Sequence, residues 1–415
     1  MKFNFNLPKA SFMGLLMMGS VAAFASTPES VNVLKFKDGQ TLFIGDSQSA
    51  TLYAYSVPEQ TNAAAGKAYN IHDLSSKLAS FAGVAANALI IRDMAIHPVS
   101  KEAYIAFDTN NGKGYTSHVV VVNQAGELRA FDLAAVAHTE AKINDAPTNT
   151  TSFWGKTPMR ALTITDIDFY KGKVYISGMS NAEFSSALRV LDYPFNGTTP
   201  STSSVEIFHG VHNQNETRAP IQTMTFVNID NKDYVLAAYT CTPLVLIPVD
   251  ELKNGAHVKG KTIGEMGYGN TPVDMIKFKS AGFDKKPYEG VILSNRNRSA
   301  SFINMSDIAS SAKKAGITSN LGFSEKAGVE STSLPMTGLL QLDDQDDYHI
   351  TALRRDDETG NLELISFMKN VYLRLDEFVS EYDQPSYEYK GEQLQMKGVQ
   401  NMLIQDLDRP QDIKK

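Results

Sequence analysis

The sequence has very little cysteine, tryptophan and net charge. Of its 415 residues, one is cysteine, Cys241, and one is tryptophan, Trp154. A single cysteine excludes an intrachain disulfide framework and any zinc site built from several cysteines. The net charge of −7 argues against the basic surface of a nucleic-acid-binding protein, so no nucleic-acid partner is expected. The hydrophobic content of 42% is that of a folded globular chain.

Motifs that identify several enzyme classes are also missing. We find no dinucleotide-binding fingerprint after a first strand, no His-Glu-x-x-His motif, no haem-attachment motif and no nucleophile elbow. The sequence therefore does not name a reaction, and its function must be sought in the residues that the fold brings together.

The first 25 residues are organised like a secretory signal peptide. Lys2 and Lys9 give a positive start, an apolar stretch follows at 12–18, and Ala23-Phe24-Ala25 has the small-x-small pattern of a cleavage site. The apolar stretch is shorter than the ~20 residues that a membrane-spanning helix needs. We therefore expect cleavage after about Ala25, a periplasmic or secreted mature protein, and no membrane span.

A short apolar strand, often introduced by aspartate, recurs six times along the chain. Its copies lie near positions 33, 94, 167, 224, 275 and 339, at intervals of 51 to 73 residues. A polar turn follows most copies, and then come further runs rich in β-branched and aromatic residues. Four short strands repeated in this way predict an all-β fold, a single β-propeller of six four-stranded antiparallel blades. Seven blades, a β-sandwich and two all-β domains are the alternatives.

The strand pattern and blade phasing over residues 31–378 resemble those of exported bacterial propellers, a class that includes YVTN/NHL-type proteins and the quinoprotein amine dehydrogenase β chain. The resemblance rests on no signature motif, so it implies a fold and not an activity. With the N-terminal pattern, the repeat divides the chain into a signal peptide at 1–25, a propeller at 26–380 and an acidic C-terminal tail at 381–415.

Four long connections are predicted to lie on one face of the propeller. In each blade the loop entering the innermost strand and the hairpin between strands two and three share a face, because neighbouring strands run antiparallel. The long connections fall nearly all on that face, and they include 108–118, 134–162, 209–220 and 256–272. Since long irregular loops are often functional, we expect the site on this long-loop face.

The long-loop face carries three groups of candidate site residues. Imidazole and thiolate ligands suit copper, and four residues could bind such a metal: His118, His209, His212 and Cys241. Two residues could handle proton transfer or substrate charge in catalysis: Arg218 and Tyr239. Five residues at strand starts or in hairpins are candidates for ligand binding: Arg92, Asp93, Asp166, Asn181 and Arg296.

Three functions fit these residues. The first is oxidoreductase chemistry at a bound metal, with copper as the possible cofactor. The second is non-catalytic binding of a small molecule or a periplasmic protein partner, in which case repeated aspartates such as Asp166 have a structural role. The third is a metal-independent lyase or hydrolase acting on an extracellular carbohydrate, in which histidine, tyrosine and arginine side chains abstract a proton and stabilise the resulting anion. Trp154 is the one tryptophan available for stacking on the sugar. Cys241 is either part of a chemical site or a well-packed residue at a strand end, and its replacement is the experiment that best distinguishes these two roles.

Overall fold

Six four-stranded antiparallel sheets form a closed ring in the computed structural model, so the predicted all-β, six-bladed propeller is confirmed. The structure describes residues 26–59, 67–110, 112, 114–153, 157–267, 270–281, 287–296, 298–322, 325–356 and 359–372. The predicted signal peptide, the acidic tail and Trp154 lie outside these residues. All six repeated apolar runs are the innermost strands of blades, as their spacing predicts.

The blades are numbered I to VI by the chain order of their innermost strands, and strands are given from the channel outward. Blade I consists of Val33–Asp38, Thr41–Asp46, Thr51–Ser56 and His138–Lys142, and blade II of Leu89–Ile96, Ala103–Asn110, Tyr115–Val122 and Leu128–Ala130. Blade III consists of Asp166–Tyr170, Lys173–Met179, Ser186–Asp192 and Ser201–His209, and blade IV of Ile221–Ile229, Lys232–Tyr239, Pro243–Pro248 and Lys261–Glu265. Blade V consists of Pro272–Ala281, Pro287–Asn295, Ser301–Asn304 and Thr332–Ser333, and blade VI of Leu339–Asp344, His349–Arg355, Leu362–Met368 and Asn70–Ile71.

Short elements complete the edges of the ring. Gln214–Glu216 and His257–Lys259 extend the outer edge of blade III, Ala327–Gly328 extends blade IV, and Ser152–Phe153 pairs with Thr157–Pro158. The α-helices are Leu74–Ala82, Met305–Ala312 and Lys369–Tyr372, and the 3-10 helices are Ala86–Ala88, Met159–Leu162 and Val249–Glu251. Within the described ranges, no helix has both the length and the apolar character needed to cross a bilayer.

The order of the blades around the ring differs from their order in the chain. Contacts between innermost strands run from blade I through III, IV, V, VI and II back to I. Residues 70–130 cause this order, because they supply the outer strand of blade VI and all of blade II before His138–Lys142 closes blade I. Blade II therefore lies opposite blade IV.

Six apolar clusters, one between each pair of neighbouring blades, form the core of the described ring. Both faces of a blade are consequently packed, and Thr41–Asp46 in blade I is buried along its whole length. This explains why many strands have continuous apolar runs instead of the alternation typical of a half-exposed sheet.

Aspartates on the innermost strands link neighbouring blades. Asp93 of blade II accepts a hydrogen bond from the Leu34 N–H of blade I at 2.6 Å, and Asp166 of blade III accepts one from the Met224 N–H of blade IV at 2.7 Å. Equivalent bonds join two further pairs of blades through Asp274 and Asp343. The repeated aspartates thus satisfy backbone donors of an adjacent blade.

The four connections that predicted a long-loop face contain strands, so their interpretation as long irregular loops is wrong. The segment 134–162 includes the outer strand of blade I, and 256–272 includes the outer strand of blade IV. The segment 209–220 is partly a hairpin, and 108–118 includes the ends of two paired strands. Outer strands with few apolar residues cannot be told from loops by composition.

Candidate functional site

Two histidines and a glutamate converge at the outer rim of the ring, where blade III meets blade IV. His209 ends the outer strand of blade III, and the chain turns back at 210–213 to form Gln214–Glu216. Asn213 has a φ of +50°, and its N–H donates to the Gly210 carbonyl at 3.1 Å. This turn brings Glu216 beside His209 and His212.

The three side chains share one carboxylate oxygen. Glu216 Oε1 lies 2.6 Å from His212 Nδ1 and 3.2 Å from His209 Nδ1. One donor atom from each residue lies within 4.8 Å of the others. His209 is buried, whereas the His212 side chain is 42% exposed. The cluster, hereafter the His209–His212–Glu216 cluster, is therefore anchored on one side and open on the other.

Opposite charges stabilise the cluster. Burial raises the pKa of Glu216, but hydrogen bonds from His209 and His212 outweigh burial and lower the pKa to about 2. Burial lowers the pKa of His209, but hydrogen bonds to Cys241 and Glu216 outweigh it and raise the pKa to about 9. At neutral pH Glu216 is therefore a carboxylate and His209 an imidazolium.

Polar groups of blade IV fix the orientation of His209. Its Nε2 lies 3.0 Å from the Thr242 hydroxyl, which in turn donates to the Glu265 carboxylate. The other Glu265 oxygen accepts the Gly210 N–H at 2.6 Å. Glu265 is 1% exposed, and burial raises its pKa. This buried chain of hydrogen bonds joins the cluster to the neighbouring blade.

Cys241 lies beside His209, in the hairpin between the second and third strands of blade IV. It lines the same pocket as His209, and its carbonyl accepts the Asn270 side-chain N–H at 2.6 Å. Its φ of +75° is uncommon for a residue other than glycine. The three donor atoms that lie within 4.8 Å of one another do not include the Cys241 thiol. Cys241 is therefore a neighbour of the cluster and not a member of it.

Two residues predicted for metal binding or catalysis lie away from the cluster. His118 belongs to blade II, opposite blade IV, where it stacks on Phe107 and lies 3.1 Å from the Thr109 hydroxyl. Tyr239 is 1% exposed in the core between blades III and IV, and burial raises its pKa. The structure therefore brings together His209, His212 and Cys241 but not His118.

Three of the predicted ligand-binding residues make bonds within the ring. Arg92 forms a buried ion pair with Asp108, with 2.7 Å between Nε and Oδ2. Asp93 and Asp166 make the links between blades described above. These contacts give all three residues a structural role.

The remaining predicted residues lie in hairpins or near the cluster. Arg296 follows the second strand of blade V, and its N–H donates to the Thr271 carbonyl at 3.1 Å. Asn181 is exposed in the hairpin between strands two and three of blade III. Arg218 lines the pocket of the cluster, of about 360 Å³, and also an adjoining cavity of about 520 Å³ that includes Asn181.

Sequence reasoning missed Glu216 and the outer contacts Thr242 and Glu265. The signal for Glu216 was present, because Gly210 and Asn213 are residues that favour a tight turn. A hairpin there places residues near 216 beside His209, whereas a loop over 209–220 does not. No local pattern points to Glu265, which meets His209 only through packing between blades.

Residues 255–262 match the letters of a phosphate-binding P-loop, Gly-x-x-x-x-Gly-Lys-Thr. The segment instead forms the strands His257–Lys259 and Lys261–Glu265, and no helix begins after its lysine. The N–H groups of Gly255 and Gly260 donate to carbonyls of the outer strand of blade III. They are therefore engaged in the sheet and do not form a phosphate cradle.

No protein-family model and no curated protein matches the chain. Similar solved structures include Drosophila Semaphorin 1a extracellular domains 1–2 (10% identity, 83% of this chain, 86% of that chain, TM-score 0.35). Another is Kuenenia stuttgartiensis hydrazine synthase (11% identity, 85% of this chain, 99% of that chain, TM-score 0.30). A third is the WD40 β-propeller domain of Doa1 (8% identity, 84% of this chain, 96% of that chain, TM-score 0.29). With TM-scores below 0.5, these likenesses give no information on function. The resemblance to YVTN/NHL-type and amine dehydrogenase propellers stays a prediction.

Proposed function

We propose that this propeller binds a transition-metal ion at the His209–His212–Glu216 cluster and presents it to a small molecule in the adjoining pocket. The observation that carries the proposal is the convergence of two Nδ1 atoms on one Glu216 oxygen. Two imidazoles and one carboxylate, with coordination positions left open, form the donor set of many catalytic metal sites.

The distances within the cluster suit a metal ion. Metal bonds to imidazole nitrogen and carboxylate oxygen are roughly 2.0–2.2 Å long, so two ligands of one ion lie up to about 4 Å apart. The ion would take the place of the hydrogens between the Nδ1 atoms and Glu216. His209 would keep its Nε2–H for Thr242 and Glu265, an outer contact that is usual for metal-bound histidines.

Copper is the ion that we propose, with oxidoreduction as the reaction class. Among divalent first-row ions, Cu²⁺ binds nitrogen and oxygen sites most tightly, and the Cys241 thiol beside His209 adds a soft donor nearby. Export, as the N-terminal pattern predicts, would place the protein where copper is available. A bound copper ion would supply one-electron chemistry, and the pocket of about 360 Å³ would admit a small molecule.

The alternative functions have less support. A carbohydrate lyase or hydrolase would use histidine, tyrosine and arginine side chains beside the substrate, but the Tyr239 side chain is buried in the core. Non-catalytic binding of a small molecule would use the same pocket, and metal content distinguishes it from the proposal.

The proposal is tested by metal loading of the purified protein. After chelator treatment, incubation with Cu²⁺ and dialysis, elemental analysis should give about one copper per chain. His212→Gln and Glu216→Gln should each lower copper affinity at least about tenfold, since each removes a direct ligand. His257→Gln is the matched control, because His257 and Glu206 form an exposed pair at 3.4 Å outside the cluster.

Two results would overturn the proposal. One is a wild-type protein that retains no copper after loading. The other is equal metal retention by the wild type and Glu216→Gln, which would locate the ion elsewhere. Cys241→Ser should retain the metal but change its absorption spectrum if the thiol approaches the ion.

A further inference from the structure

Arg218 stands at the boundary between two cavities of blade III. It lines the pocket of the His209–His212–Glu216 cluster, about 360 Å³, and the adjoining cavity of about 520 Å³. Its Nε donates to the Glu183 carbonyl at 3.1 Å, which orients the guanidinium. Across the part of the chain that the structure describes, no carboxylate forms an ion pair with Arg218, and its terminal nitrogens make no hydrogen bond.

The larger cavity suits the uncharged part of an organic ligand. Its lining combines two methionines with small hydroxyl and amide side chains: Met159, Met179, Thr148, Ser180, Asn181 and Ser185. Methionine side chains can pack against carbon chains, and hydroxyl and amide groups can form hydrogen bonds with the hydroxyl or carbonyl groups of a ligand. A ligand that extends from this cavity to the cluster would therefore contact Arg218.

We propose that Arg218 binds the oxyanion group of an organic substrate, a carboxylate or a phosphate, between the metal and the larger cavity. A guanidinium has a planar fork of N–H donors that matches both groups. The proposal rests on the proposed metal site, because the ion supplies the second positive group facing this pocket. The substrate class is therefore an organic anion with its uncharged part in the larger cavity.

The test is calorimetric titration of the copper-loaded protein with succinate, inorganic phosphate and, as a neutral control, dimethyl succinate. Arg218→Gln should weaken binding of the preferred anion at least about tenfold, which is the usual loss for a charged hydrogen bond. Arg218→Lys, which keeps the charge but not the fork, should lose less. Arg129→Gln is the matched control, because Arg129 pairs with Glu102 on the opposite side of the ring.

The outcomes separate this inference from the metal proposal. Elemental analysis of the same samples should give equal copper content in the wild type and Arg218→Gln. Stronger binding of succinate identifies a carboxylate substrate, and stronger binding of phosphate identifies a phosphate ester. If copper binds but neither anion does, or if Arg218→Gln binds them as well as the wild type, the inference fails and the metal proposal stands. If no metal binds, the metal proposal fails, and Arg218-dependent anion binding by the metal-free protein still supports an oxyanion site.

Discussion

Replacement of Asp166 by asparagine should flatten the dependence of stability on pH. Asp166 links blades III and IV through the Met224 N–H and also accepts the Ile167 N–H. Burial raises the pKa of Asp166 from 3.8 to about 6, against the opposing effect of Lys35. The folded ring therefore holds this proton at a pH where the unfolded chain has lost it.

The sign and size of the effect follow from the two pKa values. A raised pKa contributes stability that is present below about pH 4 and is lost as the pH rises through about 6. A shift of about two units corresponds to about 3 kcal/mol for a fully buried group. Because Asp166 retains some exposure, we expect roughly 1–3 kcal/mol. The asparagine side chain of the variant would not titrate, and it would offer only one carbonyl oxygen to the two N–H groups.

Urea unfolding of wild type and Asp166→Asn at about pH 5 and about pH 7.5 measures up to about 1.4 kcal/mol of this effect, because the full contribution is reached only below about pH 4. The wild type should lose more stability than the variant between these pH values. Asp192→Asn is the control, because Asp192 forms an exposed ion pair with Lys173 and should leave the wild-type slope unchanged. Parallel pH profiles of the wild type and Asp166→Asn would refute the reasoning.

Two further predictions concern packing and buried charge. Gly178→Ala should lower the free energy of unfolding by about 3 kcal/mol, since an added Cβ would lie 2.1 Å from the Thr163 carbonyl oxygen. Gly172→Ala should cost only about 1 kcal/mol, because the position has a φ of +82° but open space around it. If urea unfolding shows that Gly178→Ala and Gly172→Ala lose the same free energy of unfolding, the predicted clash at Gly178 is wrong. Arg92→Met should cost about 3–5 kcal/mol by leaving Asp108 buried without its cation, and a thermal midpoint equal to the wild type would exclude this role.

The sequence predicts where the strands of this fold lie, but it does not predict which blades are neighbours in the ring. Each repeated apolar run is an innermost strand, because packing on both faces demands such a run in every blade. The ring order is different, since residues 70–130 are inserted before His138–Lys142 closes blade I. Only contacts between blades decide this order, and no local pattern encodes them.

The same limit explains the outcome for the candidate site. His209 and His212 are close in sequence and meet in the structure, whereas His118 lies on the opposite blade. The sequence also does not show that the Tyr239 side chain points into the core, because both faces of a blade strand can be apolar. Sequence reasoning therefore finds residues that share a turn and fails for residues that meet across the ring.

Blades III and IV are joined at both ends of their interface by carboxylates, and these two contacts have different roles. Near the channel, Asp166 accepts a backbone N–H and serves the ring alone. At the rim, Glu265 accepts the Gly210 N–H and, through Thr242, orients His209. Because Glu265 does not line the pocket, it is a positioning residue. The geometry of the cluster thus depends on correct docking of the two blades, which is why its histidines come from blade III and their outer support from blade IV.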